Sequence, residues 1–177
     1  MAASDIHTTL ARRPHIWPAL TLAASVAMLG GAWSFQIFGG LQPCTLCLYQ
    51  RWPYWFAIIF AGLAVLAGRR LAPGALAFFA AISGLVFLAG AGVATFHVGV
   101  EQHWWEGLST CGSGGLDDPN MSIAELKAKL FATPLVRCDD VAWSLFGISM
   151  AGYNLIISVI LAAASAWAAQ GFWRKTA

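Results

Sequence analysis

The sequence predicts an all-α membrane protein, a four-transmembrane-helix bundle with a short amphipathic helix in its second outer loop. Three observations predict this fold: the composition, four long apolar segments and the positions of the basic residues. Hydrophobic residues make up 59% of the 177 residues and charged residues only 10%, and the mean hydropathy is +0.68. A soluble domain of this length could not hide so much apolar surface in one core. No basic run or patch of interleaved basic and aromatic residues indicates nucleic-acid binding.

The four apolar segments are each near or above the length that crosses about 30 Å of hydrocarbon as a helix. We expect one integral membrane domain over residues 1–177, with spans at approximately 17–38, 46–67, 74–98 and 142–169. The second segment is the shortest, and it reaches spanning length only if its helix begins upstream of Trp52. The first segment is too long for the apolar region of a signal peptide, so we expect it to be retained.

The basic residues lie mainly at one set of span ends, and this sets the expected orientation. Short cytoplasmic loops collect lysine and arginine, which here are Arg12, Arg13, Arg69, Arg70, Arg174 and Lys175. We therefore expect both termini in the cytoplasm and outer loops at approximately 39–45 and 99–141. In a bacterium this describes a multi-pass protein of the inner membrane with periplasmic outer loops, a compartment where disulfides persist.

All four cysteines lie at or near these outer loops, and they are the candidate catalytic residues: Cys44, Cys47, Cys111 and Cys138. Four cysteines allow three pairings, and the sequence does not choose among them. Static disulfides explain the C-x-x-C pair poorly, because such a bridge closes a very small loop. A four-thiolate zinc site fits poorly with the wide spacing of the second pair. We therefore favour a redox relay that works by thiol exchange.

The sequence allows two starts for the helix near the C-x-x-C motif. If the helix begins at Pro43, then Cys44 and Cys47 lie in its first turn, where backbone N–H groups favour a thiolate. Arg51 would then follow Cys47 by one turn and stabilise its negative charge. If the helix begins at Trp52 instead, Arg51 is an interfacial anchor.

The second outer loop contains the predicted amphipathic helix. Ser122 and Glu125 form a capping box, and apolar residues follow at helical spacing. Asp139 and Asp140 come directly after Cys138, and their charges disfavour a thiolate there.

The chain contains no sequence motif for a haem, a flavin or a nucleotide, since Leu48 stands where a C-x-x-C-H motif would have histidine. A lipid-soluble quinone is therefore the expected electron acceptor.

Three motifs give the chain a resemblance to the DsbB family of bacterial disulfide bond formation proteins. They are CTLCLYQR at 44–51, HVGVEQHWWEG at 97–107 followed by Cys111, and RCDDVAWSLFGISMAGYN at 137–154. The resemblance implies an oxidoreductase that reoxidises a periplasmic thiol oxidase of the DsbA type. It also implies that the two electrons pass to ubiquinone or menaquinone.

The resemblance further implies a role for each cysteine. Cys111 would form the mixed disulfide with the partner, and Cys138 would then exchange with Cys44. Cys47 would be the thiolate that meets the quinone, with Arg51 holding the quinone and its developing charge.

His97 is a further candidate quinone contact, because it lies where the third span reaches the outer surface. The alternative is an interfacial histidine beside the tryptophans that follow it.

Two other functions remain open at this level. A membrane reductase similar to vitamin K epoxide reductase would use the same relay on a different quinone-like substrate. A noncatalytic scaffold would use its outer thiols for zinc or static bridges.

Overall fold

The fold is a set of long apolar helices with a small hairpin and a short helix at one end. The computed structural model describes residues 16–67, 70–108, 111, 122–124, 127 and 136–175. Its elements are α1 (Ile16–Ile37), α2 (Thr45–Tyr49), α3 (Trp52–Ala67), α4 (Pro73–Glu101), β1 (Ser144–Leu145), β2 (Ile148–Ser149) and α5 (Met150–Trp173). By length and composition, α1, α4 and α5 can cross a membrane.

The segment expected as one second helix is divided into α2 and α3 at Gln50 and Arg51. Pro53 explains the break, because it has no N–H to donate to the carbonyl of Tyr49 one turn earlier. Both predicted starts are thus partly right: a short helix begins just after Cys44, and the long one begins at Trp52. With 16 residues, α3 alone is shorter than a typical span.

The last helix begins at Met150 and not near residue 142 as expected. The residues before it form an antiparallel hairpin, in which Leu145 pairs with Ile148. Phe146 and Gly147 occupy the turn with φ of 51° and 77°, a combination that a two-residue hairpin turn requires. Ser149 then caps α5, since its Oγ accepts the N–H of Gly152 at 3.1 Å.

The helices pack around three apolar clusters that follow one another along the molecule. The first joins Leu76 near the start of α4 to Phe172 near the end of α5. The second lies midway and includes Leu29, Tyr54 and Phe87. The third, at the far end, contains all four cysteines. The helices therefore alternate in direction, and the sulfur chemistry is confined to one end.

The chain folds back over the end of α4, where Gly99 permits a close approach. The Trp105 indole lies so close that a Cβ on Gly99 would be 2.0 Å from its Cζ2. The indole N–H donates to the carbonyl of Phe96 at 2.9 Å, and the two rings stack with centroids 5.9 Å apart. The fold-back over the end of α4 positions the segment that leads to Cys111.

Replacing Gly99 by alanine should lower the free energy of unfolding by about 1–3 kcal/mol, because the new methyl group displaces the Trp105 ring. Thermal unfolding in detergent measures the change. Gly92→Ala is the matched control on the same helix, since a Cβ there meets no atom of the described residues within 4 Å. The control should be neutral or slightly stabilising. Equal effects of the two changes would contradict the proposed contact.

The predicted amphipathic helix of the second outer loop lies mostly outside the described residues. Ser122 is described, but Glu125, its expected capping partner, is not.

Candidate functional site

Sulfur atoms gather at the end of the molecule where α2 and the end of α4 meet. A disulfide joins Cys111 to Cys138, with their Cα atoms 5.3 Å apart, whereas Cys44 and Cys47 are free thiols. All four side chains pack in one apolar cluster with Leu46 and Val100. Of the three possible pairings, the structure contains one bridge of the pairing that joins Cys44 to Cys47 and Cys111 to Cys138.

The C-x-x-C motif forms the start of α2. Cys44 is the N-cap residue, and its sulfur accepts the backbone N–H of Cys47 at 3.2 Å. The two sulfurs are 2.7 Å apart. The hydrogen bond between them lowers the pKa of the Cys44 thiol to about 5 although burial opposes this shift. The contact with the Cys47 side chain therefore favours a thiolate at Cys44.

His97 lies against this dithiol from the last turns of α4. Its side chain is buried, and its Nε2 is 3.6 Å from the Cys44 sulfur. The same nitrogen is 4.0 Å from Oε1 of Glu101, one turn further along the helix. The donor atoms of Cys44, Cys47 and His97 all lie within 4.8 Å of one another. His97 is thus part of the sulfur site and not merely an interfacial residue.

An apolar cavity of about 350 Å³ opens beside the dithiol. Cys44, Cys47 and His97 line it on one side, and α1 contributes small and apolar residues such as Ala27 and Gly31. Arg51 also lines it, and its guanidinium donates to Oε1 of Gln36 on α1 at 3.0 Å. The break between α2 and α3 explains why the Arg51 side chain points toward α1, since Arg51 lies between these two helices.

A second concave surface of about 620 Å³ lies beside the disulfide. It is more polar, and its lining includes Cys111, His103, Glu106 and Arg137. Arg137 pairs with the carboxylate of Asp139, and this guanidinium lowers the pKa of that carboxyl to about 2. The Asp139 charge expected to disfavour a thiolate at Cys138 is therefore partly compensated by Arg137.

Four buried polar side chains near the site were not among the sequence candidates. Gln50 lies within hydrogen-bond distance of His97 and of Asn154 on α5, and Asn154 in turn contacts Tyr54 and Ser158. Polar residues inside an apolar span are costly and usually functional. In the sequence, this group could have been identified from Asn154 and Ser158, two polar residues one turn apart in an otherwise apolar segment.

A bundle of membrane-length helices with a free dithiol and a disulfide in one buried cluster defines a membrane thiol oxidoreductase. The family profile described as disulfide bond formation protein DsbB matches residues 13–168. The chain therefore belongs to the DsbB family, whose members are disulfide-generating oxidoreductases.

Curated relatives agree with this assignment. The disulfide bond formation protein B of Xanthomonas campestris pv. campestris is 32% identical over 81% of this chain and 83% of its own length. The protein of the same name from Methylococcus capsulatus is 33% identical over 78% of this chain and 84% of its own. An uncharacterized protein of Rickettsia prowazekii is 27% identical over 79% and 78%. No solved structure matches the chain.

Proposed function

We propose that this protein reoxidises a periplasmic dithiol oxidase of the DsbA type and passes the two electrons through its two cysteine pairs to a membrane quinone. One observation carries the proposal. The free Cys44 and Cys47 dithiol packs in the same cluster as the Cys111–Cys138 disulfide, at the wall of an apolar cavity. Membership of the DsbB family supports this activity over a reductase of the vitamin K epoxide type.

We further propose a four-span arrangement in the bacterial inner membrane, with α2 and α3 together forming the second span. The cysteines lie at one end of the helices, whereas Arg70 and the pair Arg174 and Lys175 lie beyond the opposite helix ends. The positive-inside rule then puts both termini in the cytoplasm and the cysteine end in the periplasm.

The cavity beside the dithiol fits the headgroup of ubiquinone or menaquinone. Its exposed walls are mostly apolar, as a quinone ring and its lipid tail require. Arg51 is the side chain that would donate to the ring, and His97 and the Cys47 sulfur lie on the same wall. A bound quinone supplies an acceptor for two electrons and two protons. The cavity provides an apolar site in which the sulfur atoms meet that acceptor.

The cysteine chemistry consists of two balanced exchanges. In the first, the partner's dithiol attacks Cys111 and leaves as a disulfide, while Cys111 and Cys138 become thiols. In the second, the Cys138 thiolate attacks Cys44 of an oxidised inner pair. This attack releases Cys47 and forms a mixed disulfide between Cys138 and Cys44. Cys111 then attacks Cys138 and releases Cys44, which restores the outer disulfide and leaves Cys44 and Cys47 as the dithiol. The described state, with an outer disulfide and an inner dithiol, corresponds to the product of the second exchange.

The direction of electron flow requires a strongly oxidising acceptor. A DsbA-type partner has a reduction potential of about −120 mV, so its reoxidation needs a still more oxidising electron acceptor. A quinone pool kept oxidised by respiration supplies one. The polar surface beside Cys111 is the region where we expect the partner to dock.

The proposal is tested with purified protein in detergent, a reduced DsbA-type protein and a soluble quinone analogue. Quinone absorbance should fall as the partner's thiols disappear, with one quinone consumed per dithiol. Thiol loss without quinone loss would overturn the assignment of the acceptor. If the purified protein converts vitamin K epoxide, the reductase alternative replaces the proposal.

Arg51→Ala should raise the quinone concentration needed for half-maximal turnover by about tenfold or more, because a charged hydrogen-bond donor to the quinone is lost. The free energy of unfolding should change little, since within the described residues the Arg51 guanidinium donates to the partly buried Gln36 amide. Initial rates over a series of quinone concentrations measure the effect.

Arg70→Ala is the control for this variant, because it removes an arginine outside the cavity, from the connection between α3 and α4. Its quinone dependence should equal that of the unmodified protein. An Arg51→Ala protein with the same dependence would show that Arg51 is only an interfacial anchor.

A further inference from the structure

A chain of buried side chains leads from the dithiol into the middle of the helices. The ring Nδ1 of His97 is 2.7 Å from Nε2 of Gln50. The Gln50 carbonyl oxygen accepts from Nδ2 of Asn154, and the Asn154 carbonyl oxygen accepts from the Tyr54 hydroxyl. The chain ends at Ser158, whose Oγ is 3.0 Å from the Tyr54 hydroxyl. Gln50 and Asn154 are 104 positions apart, and together they join the helix break to α5.

The two nitrogens of the His97 ring face opposite kinds of groups. Nδ1 faces an amide NH₂, which can only donate, so Nδ1 must accept. Nε2 faces two acceptors, the Cys44 sulfur at 3.6 Å and the Glu101 carboxylate at 4.0 Å. A neutral imidazole carries one proton, and the hydrogen bond at one nitrogen decides where that proton lies.

We propose that Gln50 and Asn154 are positioning residues that hold His97 as the neutral tautomer with its proton on Nε2, so that the ring donates a hydrogen bond to the Cys44 sulfur and does not take a proton from it. The inference deepens the proposed function, since it concerns the same dithiol, but its test reads the ring directly. His97 then stabilises the charge on Cys44 as a hydrogen-bond donor.

If the hydrogen bonds between these side chains ran in the opposite direction, the ring proton of His97 would lie on the other nitrogen. If both amides were turned over, the Gln50 carbonyl would face Nδ1, and the ring would need a proton there. A neutral ring would then present a bare nitrogen to the Cys44 thiolate and the Glu101 carboxylate, two acceptors with no proton to share. The direct contacts at Nε2 therefore favour the polarity in which Gln50 donates.

The charged and titratable groups around His97 determine the conditions of the test. Cys44 and Cys47 face it from the start of α2, and Glu101 follows it on α4. Arg51, Arg137 and Asp140 lie further away on the wall of the same cavity. The measurement is therefore made with the inner pair both reduced and oxidised, so that the charge on Cys44 is varied independently.

Nitrogen NMR of protein labelled in the histidine rings distinguishes a protonated from an unprotonated ring nitrogen. The chain has four histidines, and a His97→Ala sample identifies the His97 signals by difference. Between about pH 5 and pH 8, His97 should show one protonated nitrogen, Nε2, with no titration step, although free histidine titrates in this range. A proton on Nδ1, or a doubly protonated ring at pH 7, would overturn the proposal.

Asn154→Leu and Gln50→Met each interrupt the series of hydrogen-bonded side chains, at two different positions. In both, the His97 signals should become those of mixed tautomers, and a titration step should appear between about pH 5 and pH 8. Ser165→Ala is the control, since it removes a buried α5 hydroxyl that lies outside the hydrogen-bonded chain and has no hydrogen-bond partner among the described residues. Unaltered ring signals in both Asn154→Leu and Gln50→Met would sink the inference, whatever their quinone turnover. A normal ring pattern in protein that does not reduce quinone would instead count against the proposed function alone.

Discussion

Replacing Cys44 or Cys47 by serine should stop quinone reduction by the reduced partner, down to the uncatalysed rate. A serine hydroxyl cannot form a disulfide, so electrons from the outer pair have no second disulfide to reduce. The residues act as a unit, and either single change should therefore cost as much as both together. Quinone absorbance with reduced DsbA-type protein measures the loss.

The fold should survive these changes, which makes the loss of activity specific. The Cys111–Cys138 disulfide does not involve either inner cysteine, and serine is close to cysteine in size. The disulfide should still be detected by mass spectrometry, and the thermal midpoint in detergent should stay close to that of the unmodified protein. Turnover that persists in either variant would end the relay hypothesis.

The thiolate of the inner pair should form at unusually low pH, with a midpoint near 5 for Cys44. Above this pH the folded protein holds a thiolate that an unfolded chain would protonate, so the free energy of unfolding should rise from pH 5 toward the ordinary thiol pKa. This extra stability is lost as the pH falls through about 5. Thiolate absorbance in the ultraviolet measures the midpoint in a Cys111→Ser, Cys138→Ser background, where Cys44 and Cys47 are the only thiols.

Two substitutions at Cys47 separate the causes of this shift. Cys47→Ala removes the side-chain hydrogen bond, the largest cause, and should raise the midpoint toward the ordinary thiol value. Cys47→Ser keeps a hydroxyl that can donate to the Cys44 sulfur, so its midpoint should stay low. Equal midpoints in the two variants would show that His97 and the helix start, not the neighbouring side chain, lower the pKa of Cys44.

Long apolar segments were the most predictable part of the fold. The ends of α1 at Ile16 and Ile37 lie one residue from the expected bounds, and α4 begins at Pro73, one residue before its predicted start. A helix that crosses a bilayer needs a minimum length of consecutive apolar residues, so the hydropathy along the sequence locates such helices. The same signal failed at residues 142–149, because a hairpin strand and a membrane helix both use apolar residues. The turn at Phe146 and Gly147 was the discriminating feature there.

The sulfur residues and His97 could be found from the sequence, but their partners could not. A C-x-x-C motif has recognisable spacing, and a histidine at the end of a span stands out against an apolar background. The hydrogen bond between Gln50 and Asn154 forms only when α5 packs against α4 and the helix is interrupted before Pro53. No local pattern encodes a contact between side chains 104 positions apart. The identity of the N-cap sulfur also depended on where α2 begins.

The burial of both cysteine pairs in one cluster has a kinetic consequence. Exchange between the two pairs is a reaction within one molecule, so its rate depends on an effective concentration set by the fold and not on how much protein is present. Only the encounters with the soluble partner and with the quinone are second-order. Dilution therefore slows the two ends of the relay while the step between them keeps its speed.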